Sequence, residues 1–116
     1  MQSLRCLAAV LAVLAAFRIQ ATFAQEGDAT LEHGRDVFLS VEPACSICHV
    51  LQDAGAEGKI GPNLDELRPD ADKVRNALID GPGAMPAYGE LLSKEEIDAI
   101  AAYVAQVAGQ YGGDAQ

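Results

Sequence analysis

The sequence predicts a small all-α protein of about three to five short helices. Segments 30–40, 71–80 and 93–108 repeat apolar residues at the three- and four-residue spacing of an amphipathic helix. No segment shows the alternation of apolar and polar residues that is typical of a half-buried strand. Between the first and second helical segments lies a Cys-x-x-Cys-His motif, from Cys45 to His49, which indicates that a cofactor contributes to the interior.

The first helix is predicted to begin near Asp28 or Thr30 and to end near Ser40. Either side chain can act as the N-cap, because its oxygen can accept hydrogen bonds from the unpaired N–H groups of a first helical turn. One face of this helix would present Leu31, Gly34, Val37 and Phe38.

The second helix has both a start and a stop signal. Asp70 can cap a helix from about Ala71 to Asp80, and Gly81-Pro82-Gly83 would end it. Segment 52–61 and the segment after residue 81 are rich in glycine and proline, so they are predicted to be loops.

The last helix is the best specified of the three. Ser93 and Glu96 have the spacing of a capping box, and Leu92 and Ile97 that of a hydrophobic staple. Gly109 suits the end of the helix. The apolar stripe is predicted to comprise Ile97, Ile100, Ala101, Val104 and Ala108.

The Cys-x-x-Cys-His motif predicts one covalent haem c. Cys45 and Cys48 are three residues apart, so one turn of helix would place both thiols on the same face. There they can form thioethers with the two vinyl groups of a single porphyrin. His49 follows directly and can present its imidazole to the iron, as in c-type haem attachment.

Two other kinds of site also use paired cysteines. A structural zinc site needs four protein ligands, and the remaining candidates are the distant His33 and Cys6 near the N-terminus. A thioredoxin-like dithiol would be expected within a βαβ pattern, and none is visible. Both alternatives stay open with less support than haem.

Residues 1–24 have the pattern of a secretory signal peptide. Arg5 precedes an apolar stretch of eleven residues, 7–17, and the segment ends in Thr22-Phe23-Ala24, small residues that suit a cleavage site. The stretch is shorter than the roughly 20 residues needed to cross a bilayer, although an uncleaved anchor is the alternative. We expect cleavage near Ala24 and export to the periplasm.

Residues 25–110 are then expected to form one monohaem domain, followed by a flexible tail at 111–116. Loss of Arg5 and Arg18 with the leader changes the formal net charge from −9 to −11. Such an acidic surface disfavours binding to nucleic acid or anionic lipid and favours a redox partner with a basic docking patch. The same charge would also keep an exported protein soluble.

The order of these motifs resembles that of the class I c-type cytochromes over residues 31–107. The cysteine motif comes first, then Gly61-Pro62-Asn63-Leu64, then Met85-Pro86 in a loop, then a C-terminal helix. In that family a glycine and an aromatic residue four positions apart on the first helix pack against the last helix, and Gly34 and Phe38 match them. The resemblance implies the cytochrome c fold, with its helices wrapped around one covalent haem.

The resemblance also implies the ligands of the iron. His49 would be the proximal ligand and Met85 the distal one, and the carbonyl of Pro62 would accept a hydrogen bond from the other ring nitrogen of His49. Once Met1 is lost with the leader, Met85 is the only methionine, whereas His33 is expected to face solvent. The expected haem walls are Leu64, Leu67, Leu78 and Leu91. The haem propionates have no clear partner among Lys59, Asn63, Arg68 and Tyr88.

A histidine–methionine ligand set leaves no open position on the iron, so the predicted function is one-electron transfer between periplasmic redox proteins and not catalysis. An alternative is the cytochrome subunit of a periplasmic oxidoreductase complex, for example one that oxidises a sulfur compound. A less favoured alternative is a haem enzyme or gas sensor in which Met85 is labile.

Overall fold

The computed structural model describes residues 26–110 of the 116-residue chain. The predicted leader at 1–24 and the predicted tail at 111–116 lie outside these residues. Five α-helices and one short hairpin occur within the described part. In chain order they are α1 (26–40), α2 (Cys45–Cys48), β1 (Val50–Leu51), β2 (Ala56–Glu57), α3 (Leu64–Leu67), α4 (Ala71–Asp80) and α5 (Lys94–Val107).

The prediction of a mainly helical fold is confirmed, with one addition in the segment predicted as a loop. β1 and β2 pair in antiparallel fashion, with Val50 opposite Glu57 and Leu51 opposite Ala56, and a 3₁₀ turn at Gln52–Ala54 joins them. Each strand is two residues long. An alternating pattern needs at least four residues to be recognised, so the sequence held no signal for this hairpin.

Helix α1 ends at Ser40 as predicted, but the predicted N-cap is wrong. Residues from Glu26 onward are already helical, so Asp28 and Thr30 lie inside the helix. The Thr30 hydroxyl donates a 2.9 Å hydrogen bond to the carbonyl oxygen of Glu26, four residues earlier. Threonine can satisfy its hydroxyl in this way within a helix, and a capping residue type therefore did not mark the start.

Helices α1 and α5 cross closely at Gly34. A Cβ atom at this position would lie 2.7 Å from both the carbonyl carbon of Ala99 and the Cβ of Tyr103, closer than atoms can approach without movement. One turn later, the buried ring of Phe38 meets Tyr103 edge to face, with centroids 6.1 Å apart. These are the contacts that the resemblance implied for Gly34 and Phe38.

Helix α4 has the predicted bounds. The Asp70 carboxylate accepts a 2.8 Å hydrogen bond from the N–H of Lys73, and Gly81 ends the helix with a φ of 60°. Such a positive φ strains any residue with a Cβ atom, which is why glycine suits this position. Leu78, on the inner face of the helix, is buried.

Helix α5 begins with the predicted capping box. The Ser93 hydroxyl accepts a bond from the Glu96 N–H, and the Glu96 carboxylate accepts a 2.8 Å bond from the Ser93 N–H. The bond from the Ser93 N–H to this carboxylate favours its ionised form and lowers the pKa of Glu96. The helix is buried along one side, and its stripe, together with Phe38, Leu51 and Leu78, forms the core.

Polar contacts join α4 to α5. The guanidinium of Arg75 donates a 2.7 Å bond to Asp98, and Lys94 forms an ion pair with the same carboxylate. Bonds from Lys94 and Arg75 lower the pKa of Asp98. None of the helices in residues 26–110 has the length and hydropathy of a membrane span.

A buried carboxylate joins the hairpin to the C-terminal end of the described chain. Asp65, in α3, accepts hydrogen bonds from the backbone N–H of Gln52 (2.8 Å) and from that of Gly109 (3.1 Å). Its neighbour Asn63 caps α3 by accepting the N–H of Asp65 at 2.9 Å. Asp65 therefore fixes α3 against the hairpin and against the end of α5. These elements lie next to the site described below.

Candidate haem-binding site

Helix α2 is the single turn that holds the two cysteines. Cys45 is buried and Cys48 half-buried, both thiols are free, and both residues line the same cavity. Burial raises the pKa of the Cys45 thiol to about 11. The unmodified Cys45 therefore stays a neutral thiol at physiological pH, and its reactivity toward ordinary electrophiles is low.

His49 ends α2 in an extended conformation, with φ −113° and ψ 144°. Its N–H donates to the carbonyl of Cys45 at 3.0 Å, which closes the helical turn. The ring Nδ1 lies 2.8 Å from the carbonyl oxygen of Pro62. A carbonyl can only accept, so Nδ1 carries the proton of this bond and Nε2 is left as the ring atom with a free lone pair.

Gly61 is required by the position of this imidazole. A Cβ atom on Gly61 would lie 2.6 Å from Cε1 and 2.9 Å from Nδ1 of His49. The N–H of Gly61 donates a 2.8 Å bond to the carbonyl of Cys48, so the loop is tied to the helix that it covers. In the Gly-Pro pair, Gly61 thus leaves room for the His49 ring and the Pro62 carbonyl orients it.

Met85 lies in the tight loop after α4 and lines the same cavity as His49. Its N–H donates to the carbonyl of Pro82 at 3.1 Å, and the N–H of Tyr88 donates to the carbonyl of Leu78 at 2.6 Å, which returns the loop to α4. At Gly81 a Cβ atom would lie 2.9 Å from the Met85 carbonyl oxygen. The loop backbone around Met85 is therefore held at both ends.

The cavity has a volume of about 520 Å³ and its lining is mostly apolar. This volume falls within the ~300–1,000 Å³ typical of cofactor and ligand sites. The structure brings together all five residues named from the sequence, which line the cavity as a set: Cys45, Cys48, His49, Pro62 and Met85. His33, on α1, is absent from the lining of the cavity and faces solvent.

Three of the four leucines expected to form the wall do so, and one does not. Leu64, Leu67 and Leu78 line the cavity. Leu91 is absent from the lining and its side chain is 62% exposed. The turn after Tyr88 directs Leu91 outward, and the neighbouring Leu92 packs against the core instead.

Sequence reasoning missed two features of the site. The hydroxyl of the buried Tyr88 donates a 2.7 Å bond to the carbonyl of Pro43, 45 residues away, and so ties the Met85 loop to the segment before α2. Lys73 of α4 lines the cavity although nothing in its local sequence distinguishes it from other lysines. Both contacts depend on the tertiary fold, and a single sequence contains no signal for them.

The chemistry of the lining fits a haem. Two thiols at helical spacing, an imidazole nitrogen and a thioether sulfur lie around one apolar space, with the imidazole orientation fixed by Pro62. An apolar surround excludes water from a porphyrin, and sulfur and imidazole are the ligands that iron takes in low-spin cytochromes.

The known proteins to which this chain is similar are c-type cytochromes. A solved structure, the c-type cytochrome SorU from Sinorhizobium meliloti, is 53% identical, with a TM-score of 0.68 over 71% of this chain and 94% of that chain. Cytochrome c6 of Bryopsis maxima is 33% identical in an alignment of 84 positions that covers 64% of this chain and 88% of that protein. Cytochrome c-551 of Halorhodospira halochloris is 32% identical in an alignment of 73 positions that covers 61% of this chain and 92% of that protein.

The fold and the site together define a small class I c-type cytochrome, an electron-transfer protein whose cofactor is covalent haem c. Residues 29–104 match the family model described as cytochrome c oxidase, cbb3-type, subunit III, and the chain belongs to that family of cytochrome c domains.

Proposed function

We propose that this chain transfers single electrons between periplasmic redox proteins through one haem, with Cys45 and Cys48 as its thioether anchors and His49 and Met85 as its axial ligands. The observation that supports this most strongly is that the four side chains line one apolar cavity although Met85 is 36 or more residues distant in sequence from the other three. The bound haem would supply the redox chemistry, which is reversible one-electron exchange at its iron.

The role proposed for His49 depends on its partner. The bond from Nδ1–H to the Pro62 carbonyl fixes the tautomer and leaves Nε2 as the nitrogen that would bind the iron. The same bond makes the imidazole a stronger electron donor. Gly61 leaves the space that the ring occupies, because a Cβ atom there would collide with it.

The role proposed for Met85 is to raise the reduction potential. A thioether is a soft ligand that favours the ferrous state, and a sixth ligand leaves no position for substrate. The turn bond from Met85 N–H to Pro82 and the return of the loop to α4 through Tyr88 limit how far the sulfur can move.

Replacement of Met85 by alanine tests the ligand assignment. We expect Met85→Ala to lower the reduction potential by about 0.1 V or more, a fraction of the ~0.8 V range over which axial ligands set haem potentials. The reduced variant should also bind carbon monoxide rapidly, whereas the reduced parent should not. Potentiometric titration and absorption spectroscopy measure the two effects.

Leu67→Ala is the matched control, because Leu67 lines the same cavity and offers no ligand atom. It should enlarge the space without opening the iron to carbon monoxide. An unchanged potential together with no ligand binding in Met85→Ala would remove Met85 from its role. Rapid carbon monoxide binding by the parent would favour the open-site alternative instead.

The proposed partners are redox proteins with basic docking patches. The chain has 17 acidic and eight basic residues, and removal of the predicted leader would make its charge more negative. Opposite charges would steer such a partner toward this protein, and salt would screen the attraction. The periplasmic location rests on the predicted signal peptide and its cleavage near Ala24.

A second candidate function is that of a cytochrome subunit in a lasting oxidoreductase complex. Two large apolar side chains next to the site are exposed, Ile47 at 57% and Ile60 at 74%, and Ile60 also lines the cavity. Exposed apolar residues at a cavity mouth favour a stable protein interface. A reaction rate with the native partner that does not change with salt would support this candidate, and a steep decrease would support the mobile carrier.

A further inference from the structure

Lys73 contributes a charged side chain to a cavity wall that is otherwise mostly apolar. Of the lysine, arginine, aspartate and glutamate residues in 26–110, it alone lines the cavity that we assign to the haem. It lies in the first turn of α4, and Val74, Ala77 and Leu78 of the same helix also line the cavity. The hydrogen bond from its backbone N–H to Asp70 fixes the start of the helix, whereas the ammonium forms no ion pair within the described residues.

Most other cations of the described chain already have partners elsewhere. Arg75 and Lys94 form ion pairs with Asp72 and Asp98. Arg35 interacts with the hydroxyl of Tyr103. Arg68 bonds to the carbonyl oxygen of Asp65, and its side chain covers Gly109.

The residues that the sequence offered as propionate partners are less well placed. Tyr88 lines the cavity, but its hydroxyl proton is donated to Pro43. The Asn63 side-chain oxygen caps α3. Lys59 and Arg68 are absent from the lining, and Lys59 is exposed beside Ile60.

A haem c brings two propionate carboxylates into a protein whose net charge is already −9. We propose that Lys73 forms an ion pair with a haem propionate and thereby raises the reduction potential of the site. This proposal rests on the haem filling this cavity. A propionate charge that is not neutralised stabilises the ferric iron, so a cation beside it shifts the equilibrium toward the ferrous state.

The test compares holoproteins that differ by one charge. Lys73→Gln should decrease the equilibrium constant for reduction three- to tenfold, a potential lower by about 30–60 mV given ~59 mV per tenfold for one electron. Lys73→Arg keeps the charge, so its equilibrium constant for reduction should lie within twofold of that of the parent. Potentiometric titration measures each value, and intact mass verifies that haem is attached.

Lys59→Gln is the matched control, because Lys59 is exposed like Lys73 but lies outside the lining, and the change removes the same charge. We expect less than a twofold change. Equal shifts in Lys73→Gln and Lys59→Gln would overturn the proposal, since they would reflect only the overall charge. No shift in Lys73→Gln, or no recovery in Lys73→Arg, would also overturn it. If Lys73→Gln does not mature, Lys73→Leu, which also lacks the charge and offers no ligand atom, replaces it with the same expectations.

The outcome is separable from that of the proposed function. Absence of the spectral signature of methionine ligation in the parent would contradict the role of Met85. The comparison of potentials between Lys73→Gln and the parent would still test Lys73. Equal potentials for Lys73→Gln and the parent, with methionine ligation present in both, would contradict only the role proposed for Lys73.

Discussion

Tyr103 is buried where α1 crosses α5, and its hydroxyl donates a 2.6 Å hydrogen bond to the carboxylate of Asp53. Burial, followed by the bond to Asp53 and its charge, raises the pKa of Tyr103 above its ordinary value of 10.0. The unfolded chain therefore loses this proton first. The stability from Tyr103 is fully present below pH 10 and is lost as the pH rises above it.

We expect Tyr103→Phe to decrease the free energy of unfolding at neutral pH by about 1.5–3 kcal/mol, the range for hydrogen bonds to charged groups. The decrease in stability above pH 10 should also become less steep, because one titrating group is gone. Urea unfolding of the holoprotein at neutral and alkaline pH measures both effects.

Tyr88→Phe is the control for this prediction. Its hydroxyl donates to a neutral carbonyl, that of Pro43, and such bonds contribute about 0.5–1.5 kcal/mol. A loss in Tyr88→Phe as large as that in Tyr103→Phe would show that the charge of Asp53 has no special effect.

The place of an individual side chain in the site could be predicted from the sequence where the signal lay in neighbouring residues. Cys45 and His49 belong to a five-residue motif, and α2 forms the turn that the motif requires. Asp65 bonds to Gly109, 44 residues away, and nothing near either residue marks the contact. The same holds for Lys73, whose place in the wall depends on how α4 packs over the cavity.

The crossing of α1 and α5 depends on the absence of a side chain at Gly34. Gly34→Ala would bring a Cβ atom within 2.7 Å of Tyr103 Cβ, so the two helices must move apart. We expect a decrease of about 1–3 kcal/mol in the free energy of unfolding, the usual cost of overpacking. Thermal or urea unfolding of the holoprotein measures it.

Gly27 provides a control of opposite sign on the same helix. It is exposed, and a Cβ atom there would have no neighbour within 4 Å. Alanine is the better helix former, so Gly27→Ala should increase the stability by about 0.5–1 kcal/mol. If Gly34→Ala also increases the stability, helix propensity and not the close approach at Gly34 dominates.

Helix boundaries followed from the sequence where capping residues had no competing use. Asp70 and Ser93 cap α4 and α5 as predicted, because the side chain of each accepts a hydrogen bond from the backbone N–H three residues later. Thr30 instead bonds back to Glu26 inside α1, so the same residue type gave a wrong boundary. The hairpin at Val50–Glu57 was missed because its strands are too short for a pattern.

The domain as a whole is built around a cavity that is large for its size. Its lining is mostly apolar, and without the haem these side chains would face water at a cost of ~25 cal/mol per Å² of apolar surface. A whole domain is stable by only ~5–15 kcal/mol, so folding should depend on haem attachment.

We therefore expect Cys45→Ala/Cys48→Ala, expressed in a host that matures c-type cytochromes, to yield a chain whose haem is extractable and whose cooperative unfolding is lost once the haem is removed. Near-ultraviolet circular dichroism and urea unfolding measure the loss. Ser46→Ala, in the middle of the same helical turn, keeps both thiols and should mature and unfold like the parent. A haem-free double variant as stable as the parent would mean that the helices pack without the cofactor, because the walls of the cavity would then have closed on themselves.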